Sequence, residues 1–453
     1  MTAYPGARRR AFARRPALPV ATLVLSAIAV GAGLVVLLWL HDTPGTLHSF
    51  GDYLTNAGRI TGLLAGYAVV VQVLLMARLP LLERGVGADR LARWHAFGGR
   101  YTVSLIVAHT VLIVWGYAVI AHASPIGESI TLLRSYPDVL MATVGAGLFI
   151  GVGVVSARAV RTRMRYETWY YLHFYTYLAI ALAFAHQFAT GADFMTNAPA
   201  RLLWILLYAG TAALLLWFRV AAPVRAAVRH RMRVHSVVPA GPGVVSVVVS
   251  GRHLDELRAE SGQFFRWRFL TRDGWWQSHP YSLSAAPHAR FLRITIKSLG
   301  DHTRGMALVV PGTRVVAEGP YGAFTAARRT RRQVLLLAGG IGITPLRALF
   351  ETMPAEPGDL TLLYRANAAQ DLVFRDELEA IARERGARLH YLLGPPGGPT
   401  DPLLPQRLIS VVPDLARHDV YLCGPAPMVV AATSSLRRAR VPRRHIHHES
   451  FDL

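Results

Sequence analysis

Hydrophobic positions divide the chain into two regimes. In the first half they form six long stretches, roughly Leu18 to Leu40, Ile60 to Met76, His95 to Ile120, Val139 to Val155, Trp169 to Phe188 and Leu202 to Val220. Each is long enough to cross a bilayer as a helix, at about 20 residues per crossing. From Met232 onward they become short β-rich runs punctuated by Gly and Pro: Val244 to Val249, Phe264 to Phe269, Phe291 to Ile296 and Arg314 to Ala317. That pattern predicts a small antiparallel barrel. From Gln333 the runs Val334 to Leu337, Leu360 to Tyr364, Leu389 to Leu392 and Val420 to Leu422 alternate with helical patterns at Leu346 to Glu351 and Asp376 to Arg385. Strands separated by helices predict a parallel doubly wound sheet. The expected chain is therefore multidomain: an N-terminal segment 1–17, a six-helix transmembrane bundle 18–222, an antiparallel β-barrel domain 230–328 and an α/β doubly wound domain 329–453.

Charge adds orientation to this picture. The net charge is +22 over 453 residues, yet there is one lysine, Lys297, and the arginines flank apolar segments instead of forming one basic stripe. Nucleic-acid binding is disfavoured on that distribution. Arginines crowd the N-terminal segment and the connections after the second, fourth and sixth stretches, for example Arg84, Arg90, Arg161, Arg163, Arg225 and Arg229. The other connections hold only Arg59, Arg134 and Arg201. Positive residues stay inside, so both termini and everything after Val220 are expected in the cytoplasm, with the protein multi-pass in the cell membrane. The first apolar stretch exceeds a cleavable signal core and is read as a retained anchor. A single cysteine, Cys423, excludes an intramolecular disulfide and any cysteine-held cluster.

The third stretch carries His95 and His109, fourteen residues apart, and the fifth carries His173 and His186, thirteen apart. A lone intramembrane histidine is more often a hydrogen-bonded core residue or a proton relay than a metal ligand. Four histidines matched on two spans reverse that weighting. A helix rises ~1.5 Å per residue, so the two levels lie about 20 Å apart, room for two stacked haems each held by one imidazole from either helix. Both spans run outward, which pairs His95 with His173 and His109 with His186. Fourteen residues nearly return to one helical face and thirteen do not, so the fifth helix must be distorted or tilted. His41, His48 and His122 are expected to be solvated in outer loops, and the cluster His445, His447 and His448 is expected at the surface.

The second half carries nucleotide-like signals. HPYS at His279, Pro280, Tyr281 and Ser282 offers an aromatic ring for the flavin face and a hydroxyl or amide for its ring nitrogens. Lys297 and the turn from Gly300 to Thr303 offer charge and amides for a pyrophosphate. VLLLAGGIGITP, Val334 to Pro345, is a strand entering a Gly-rich turn and a helix, which brings Gly340, Gly342, Thr344 and Pro345 close to a phosphate. It is not the G-x-G-x-x-G fingerprint, and a plain tight turn explains it alone. Arg365 ends the next strand, where a 2′-phosphate would lie. Tyr421 to Met428 forms another strand-to-turn junction.

Taken in order, the histidine spacings, HPYS, GGIGITP and CGP with its following Met428 resemble the ferric reductase and NADPH oxidase family of transmembrane flavocytochromes, from roughly His95 to the C-terminus. The resemblance implies that His95, His109, His173 and His186 are axial ligands of two haem b groups and that His279 to Ser282 hold FAD. It implies too that Gly340, Gly342, Thr344, Pro345, Gly424 and Pro425 bind the dinucleotide. Ser282, Cys423 beside the nicotinamide and Phe451 over the flavin would form the hydride-transfer site. Many soluble relatives have Arg where this chain has His279. NADPH is favoured over NADH by Arg365 and by the lack of an acid there. No calcium loop or regulatory subunit is indicated.

The expected function is transfer of electrons from cytoplasmic NAD(P)H through FAD and two haems to an extracytoplasmic acceptor. Short outer connections favour a small acceptor, dioxygen giving superoxide or ferric iron giving ferrous. The rivals are a reductase feeding a membrane quinone or a partner protein, an anchored flavin reductase with structural histidines, and a membrane transporter with a regulatory nucleotide-binding domain.

Overall fold

A computed structural model describes residues 20–43, 48–164, 166–272, 274–298, 305–398 and 401–450. The chain divides into two compact units, Met1–Leu215 and Leu216–Leu453. The first is helical: α1 (Val20–Asp42), α2 (Phe50–Met76), α3 (Ala88–Ile120), α4 (Val139–Ser156), α5 (Tyr166–Phe184) and α6 (Ala198–Leu216). Among the described residues, five helices are long and apolar enough to cross a membrane, and α5 is not one of them. Its sequence, YETWYYLHFYTYLAIALAF, places Tyr, Trp and His where the others carry aliphatic residues. Large apolar side chains such as Leu34, Leu37, Leu140, Leu202 and Leu203 are exposed along these helices. A surface of that kind is matched to lipid.

Small residues let α2 and α3 approach closely. A Cβ on Gly58 would lie 2.8 Å from the Ile113 side chain, and one on Gly62 would lie 2.5 Å from the His109 ring. Two connections expected to be plain loops contain helix instead. Ser49 and Asp52 form a capping box that starts α2 at Phe50, well before Ile60. A further helix, Pro125–Ser135, is capped by the Ser124 hydroxyl accepting from the Gly127 amide at 3.1 Å and buries Glu128 and Leu132.

The second unit opens with α7 (Ala222–His230) and six strands: β1 (Arg233–Gly241), β2 (Val244–Ser250), β3 (Phe264–Phe269), β4 (His279–Ser282), β5 (Phe291–Lys297) and β6 (Val315–Tyr321). They form two antiparallel three-stranded sheets, ordered β1-β2-β5 and β4-β3-β6. Single bridges, Leu283 to Ile294 and Arg233 to Arg314, link them. The two sheets are joined but not closed into the small antiparallel barrel expected from sequence. Phe265, Trp267, Val247, Val249, Leu292 and Ile294 fill the space between.

A parallel five-stranded sheet follows, ordered β11-β10-β7-β8-β9 from β7 (Val334–Gly339), β8 (Leu360–Ala366), β9 (Arg388–Leu393), β10 (Asp419–Gly424) and β11 (Ile446–Ser450). Helices α8 (Ile343–Thr352), α9 (Arg375–Arg385) and α10 (Ala426–Arg438) cross over between its strands. Every residue of β7 and β10 is buried, as a sheet covered on both faces requires.

In the C-terminal histidine cluster His448 is exposed as expected, while His445 departs from its expected surface position. His445 is buried, and its Nδ1 donates to the fully buried Asp419 carboxylate at 2.8 Å. The Asp419 carboxylate also accepts from the Arg331 amide at 2.7 Å and the Thr330 hydroxyl at 3.1 Å. Burial alone would raise its pKa, but hydrogen bonds from His447, Thr330, His445 and Arg331 outweigh that and hold it well below the ordinary carboxylate range.

Candidate redox centres

The four membrane histidines meet in two pairs. His95 of α3 faces His173 of α5 with ring centroids 5.8 Å apart, and His109 faces His186 at 6.3 Å. The helices therefore run parallel, with two imidazole pairs stacked along them. Metal–imidazole bonds of about 2 Å on opposite sides of one ion put ring centroids about 6 Å apart, so both gaps have the dimensions of a bis-imidazole site. One ring nitrogen is engaged in every case. Nδ1 of His109 donates to the Gly58 carbonyl at 2.8 Å and Nδ1 of His186 to the Ala183 carbonyl at 2.5 Å. Nδ1 of His95 lies 3.3 Å from the Gln72 carbonyl, and Nδ1 of His173 lies 3.4 Å from the Ser156 hydroxyl. Such contacts orient a ring and leave Nε2 for a metal. Each couple offers two imidazoles as donors, and among the described residues no group of three or more His, Cys, Asp or Glu forms a metal cluster.

The fifth helix is interrupted just before His186. α5 stops at Phe184, Ala185 is a turn residue, and a separate short helix, His186–Ala189, begins at the ligand candidate. Ala185 keeps right-handed helical dihedrals, φ −65° and ψ −41°, and its carbonyl accepts from the Ala189 amide at 3.2 Å, so the interruption is local and the chain keeps its course past His186.

In the second unit β4 carries His279, Pro280, Tyr281 and Ser282 opposite β3, with Phe265 paired to Tyr281 and Phe264 to Ser282. Trp267 Nε1 donates to the Tyr281 carbonyl at 3.0 Å and fixes the strand from behind. The rings of His279 and Tyr281 are stacked with centroids 6.2 Å apart. The Tyr281 hydroxyl is buried without a hydrogen-bond partner, and burial pushes its pKa up to about 12. A buried orphan hydroxyl beside a flat aromatic pair is a cradle for a planar ring with acceptor atoms. Lys297 ends β5 and is exposed. Gly300, Thr303 and Phe451 lie outside the described residues.

The Gly-rich turn sits at the C-terminal edge of the parallel sheet, where open α/β sheets take their ligands. Gly340 has φ +53° and open space where a Cβ would be, so the chain there can receive a phosphate against its amides. Gly342 is required for packing: a Cβ would lie 2.3 Å from the Cys423 carbonyl. That contact brings GGIG against CGP, with Gly424 and Pro425 leading into α10. Thr344 is buried and donates to the Ile341 carbonyl at 3.0 Å, while Pro345 lies in the first turn of α8. Arg365 is paired in register with Gly339, and its Nη2 donates to the Gly394 carbonyl at 2.9 Å. Cys423 is fully buried, and burial, reinforced by Glu449, holds its thiol well above the ordinary range. It is a neutral, small side chain on the sheet edge, unsuited to nucleophilic attack.

Sequence reasoning missed a charged clasp between the two parts of this unit. Glu377 of α9 accepts from Arg293 of β5 at 2.9 and 2.8 Å and from Nε of Arg347 of α8 at 2.8 Å. Arg347 also pairs with Glu351, which accepts from the Ala286 amide at 3.0 Å. The helix that follows the Gly-rich turn is thus tied to β5 and to the loop that follows HPYS. Periodicity gave no signal for it, because the partners are 84 and 30 residues apart.

Comparison with known proteins agrees with this arrangement. A ferric reductase-like transmembrane component matches residues 61–184, an FAD-binding domain residues 230–325, and an oxidoreductase NAD-binding domain residues 336–434. These are a membrane module and the two nucleotide modules of an NAD(P)H-dependent oxidoreductase. The chain belongs to the ferric reductase and NADPH oxidase family, with its membrane domain followed by ferredoxin reductase-type domains. Ferredoxin–NADP reductase B of Sorangium cellulosum is 31% identical over 38% of this chain and 77% of its own length. The glycine betaine monooxygenase reductase subunit of Chromohalobacter salexigens is 31% identical over 40% of this chain and 53% of its own. The FAD/NAD-binding domain of nitric oxide dioxygenase from Vibrio cholerae aligns at TM-score 0.42 and 23% identity, covering 49% of this chain and 98% of that domain. The chain spans only about half to three quarters of the length of these two curated relatives.

Proposed function

We propose that the chain carries electrons from cytoplasmic NADPH, with NADH as a poorer donor, to a small acceptor across the cell membrane. The observation that carries the reading is the pair of imidazole couples, at 5.8 and 6.3 Å, on two parallel helices. In this reading His95 with His173 and His109 with His186 hold two haem b groups, α5 counts as a sixth crossing, and both termini face the cytoplasm. Residues 18–222 form the membrane domain, 230–328 the FAD domain and 329–453 the NAD(P) domain. When bound, FAD supplies the conversion of a two-electron hydride into single electrons, and haem supplies the one-electron relay.

The protein's part is placement. Tyr281 and His279 bound a flat slot, Ser282 and the β4 backbone offer donors at its edge, and Trp267 fixes the strand behind them. Gly340 and Gly342 bring amides and the α8 N-terminus to the pyrophosphate, and Gly424 and Pro425 pack against that turn. Cys423 is a compact neutral group beside the nicotinamide subsite. Arg365 keeps unused N–H groups for a 2′-phosphate, and no acid at the end of β8 repels one. Lys297, Gly300, Thr303 and Phe451 complete the FAD site on the strength of the family resemblance.

A transporter would also show a broken span and buried charges. Here the Arg59–Asp193 ion pair is held by the segment that follows His186, and a transporter leaves that histidine without a role. The test is NADPH-driven turnover in sealed vesicles with the nucleotide domains outward, reading a superoxide probe and a ferrous chelator trapped inside. Signal from either supports a small acceptor. Haem reduction with neither signal means a quinone or partner protein takes the electrons.

A further inference from the structure

The membrane unit contains a buried ion pair that the electron path does not itself use. Arg59 of α2 donates from Nη2 to Asp193 Oδ1 at 2.5 Å and from Nε to Oδ2 at 3.3 Å. Its Nη1 donates to Asn56 Oδ1 at 2.9 Å, and Asn56 in turn donates to the Asp52 carbonyl at 2.9 Å. Asp193 is 2% exposed. Burying two charges is costly, and a bidentate pair with further hydrogen bonds offsets that cost only where its geometry is held.

The position of the pair is informative. Asp193 lies seven residues after His186, in the short helix Ala192–Met195 that follows the His186 segment. The residue before Arg59 is Gly58, whose carbonyl accepts from His109 Nδ1. One turn of α2 therefore holds both members of the second histidine couple, His109 through the main chain and the His186 segment through Arg59. The helical segment that carries His186 is short, His186–Ala189, and ends at Thr190. Two further contacts secure the segment: Gln187 accepts from Trp204 Nε1 at 2.8 Å, and Phe194 packs on Trp204 with centroids 5.1 Å apart. His173, within unbroken helix, is steadied by Ser156 and by Trp169 stacked at 5.2 Å, with no buried ion pair among these contacts.

We propose that Arg59–Asp193 is a latch that positions His186 opposite His109 and sets the charge beside that couple. The inference rests on the reading of His109 and His186 as haem ligands. Because the pair is net neutral, removing either member leaves a single charge of known sign next to a one-electron centre. Asp193→Asn leaves a cation, which favours the reduced haem, and Arg59→Gln leaves an anion, which disfavours it.

Full-length wild type, D193N and R59Q are purified in detergent, and the haem-to-FAD ratio and the haem midpoint potentials are measured by redox titration. Each variant is expected to lose the second haem, bringing the ratio from two toward one. Where it keeps that haem, the midpoint rises in D193N and falls in R59Q, while the first haem and FAD are unchanged. A lost contact alone would not give shifts of opposite sign. Two haems with unmoved midpoints, shifts of the same sign, or equal loss at both levels overturns the latch. A wild type with FAD but no haem overturns the ligand assignment itself.

Discussion

Replacing Arg365 with Ala tests whether the β8 edge reads the 2′-phosphate. Arg365 is half-buried beside Gly339, one N–H is spent on the Gly394 carbonyl at 2.9 Å, and Nε is buried without a partner. The remaining donors form a fork suited to a phosphate, whose contact is worth about 1 to 3 kcal/mol when charge-assisted. At 1.4 kcal/mol per tenfold, the variant should raise KM for NADPH by roughly 5- to 150-fold. NADH lacks the phosphate and loses only the tether to Gly394, so its KM should change by about threefold or less. The assay is steady-state reduction of ferricyanide by each nucleotide at one fixed ionic strength, since a phosphate contact is screened by salt. Equal losses for both nucleotides would mean that Arg365 supports the loop at Gly394 and does not recognise phosphate.

Three further outcomes follow from the same geometry. His109→Leu or His186→Leu should halve the haem content while FAD stays bound, read from absorption of the purified protein, and two haems surviving in both variants would defeat the pairing. Glu377→Gln releases Arg293 and Arg347 from the clasp, so kcat with ferricyanide should fall several-fold with FAD content unchanged; an unaltered kcat would make the clasp irrelevant to hydride transfer. Asp419→Asn should lower stability by about 2 to 4 kcal/mol at pH 7, because a buried, multiply bonded carboxylate is lost. The folded pKa of Asp419 lies below its unfolded value near 3.8, so its ionisation stabilises the fold fully above that pH, and the contribution is lost progressively as pH falls from there through the folded pKa. The deficit, measured as residual ferricyanide activity after heating at a series of pH values, should therefore narrow below about pH 4. A deficit equal at pH 3 and pH 7 would contradict the assignment of charge to Asp419.

Much of this architecture was legible because strong periodicities carried it. The pairing of His95 with His173 and of His109 with His186 followed from spacing and chain direction, and the need for a distorted fifth helix followed from thirteen residues not closing a face. In the structure the fifth helix is interrupted only at Ala185, whose dihedrals stay helical, so both couples form without a sharp distortion of the chain. Apolar strands such as VLLLAG were plain, because a doubly covered parallel strand is apolar throughout. β11, with the sequence IHHES, was not, because an edge strand pairs through its backbone and needs few apolar side chains. His445 read as a surface residue for the same reason, and only the fold brings it to Asp419. The Arg59–Asp193 pair, 134 residues apart, and the Arg293–Glu377–Arg347 clasp depend on tertiary contact and leave no local pattern. The helix Pro125–Ser135 was hidden by the shortness of its apolar face.

The central claim is that one chain joins a nicotinamide site to two haems. The direct measurement is the absorption spectrum of the purified full-length protein under anaerobic conditions, before and after NADPH, together with its haem and FAD content. The account predicts one FAD and two bis-imidazole b-type haems per chain, both reduced by NADPH alone. A protein that binds FAD and oxidises NADPH but shows no haem band would contradict it, leaving four histidines in a membrane anchor.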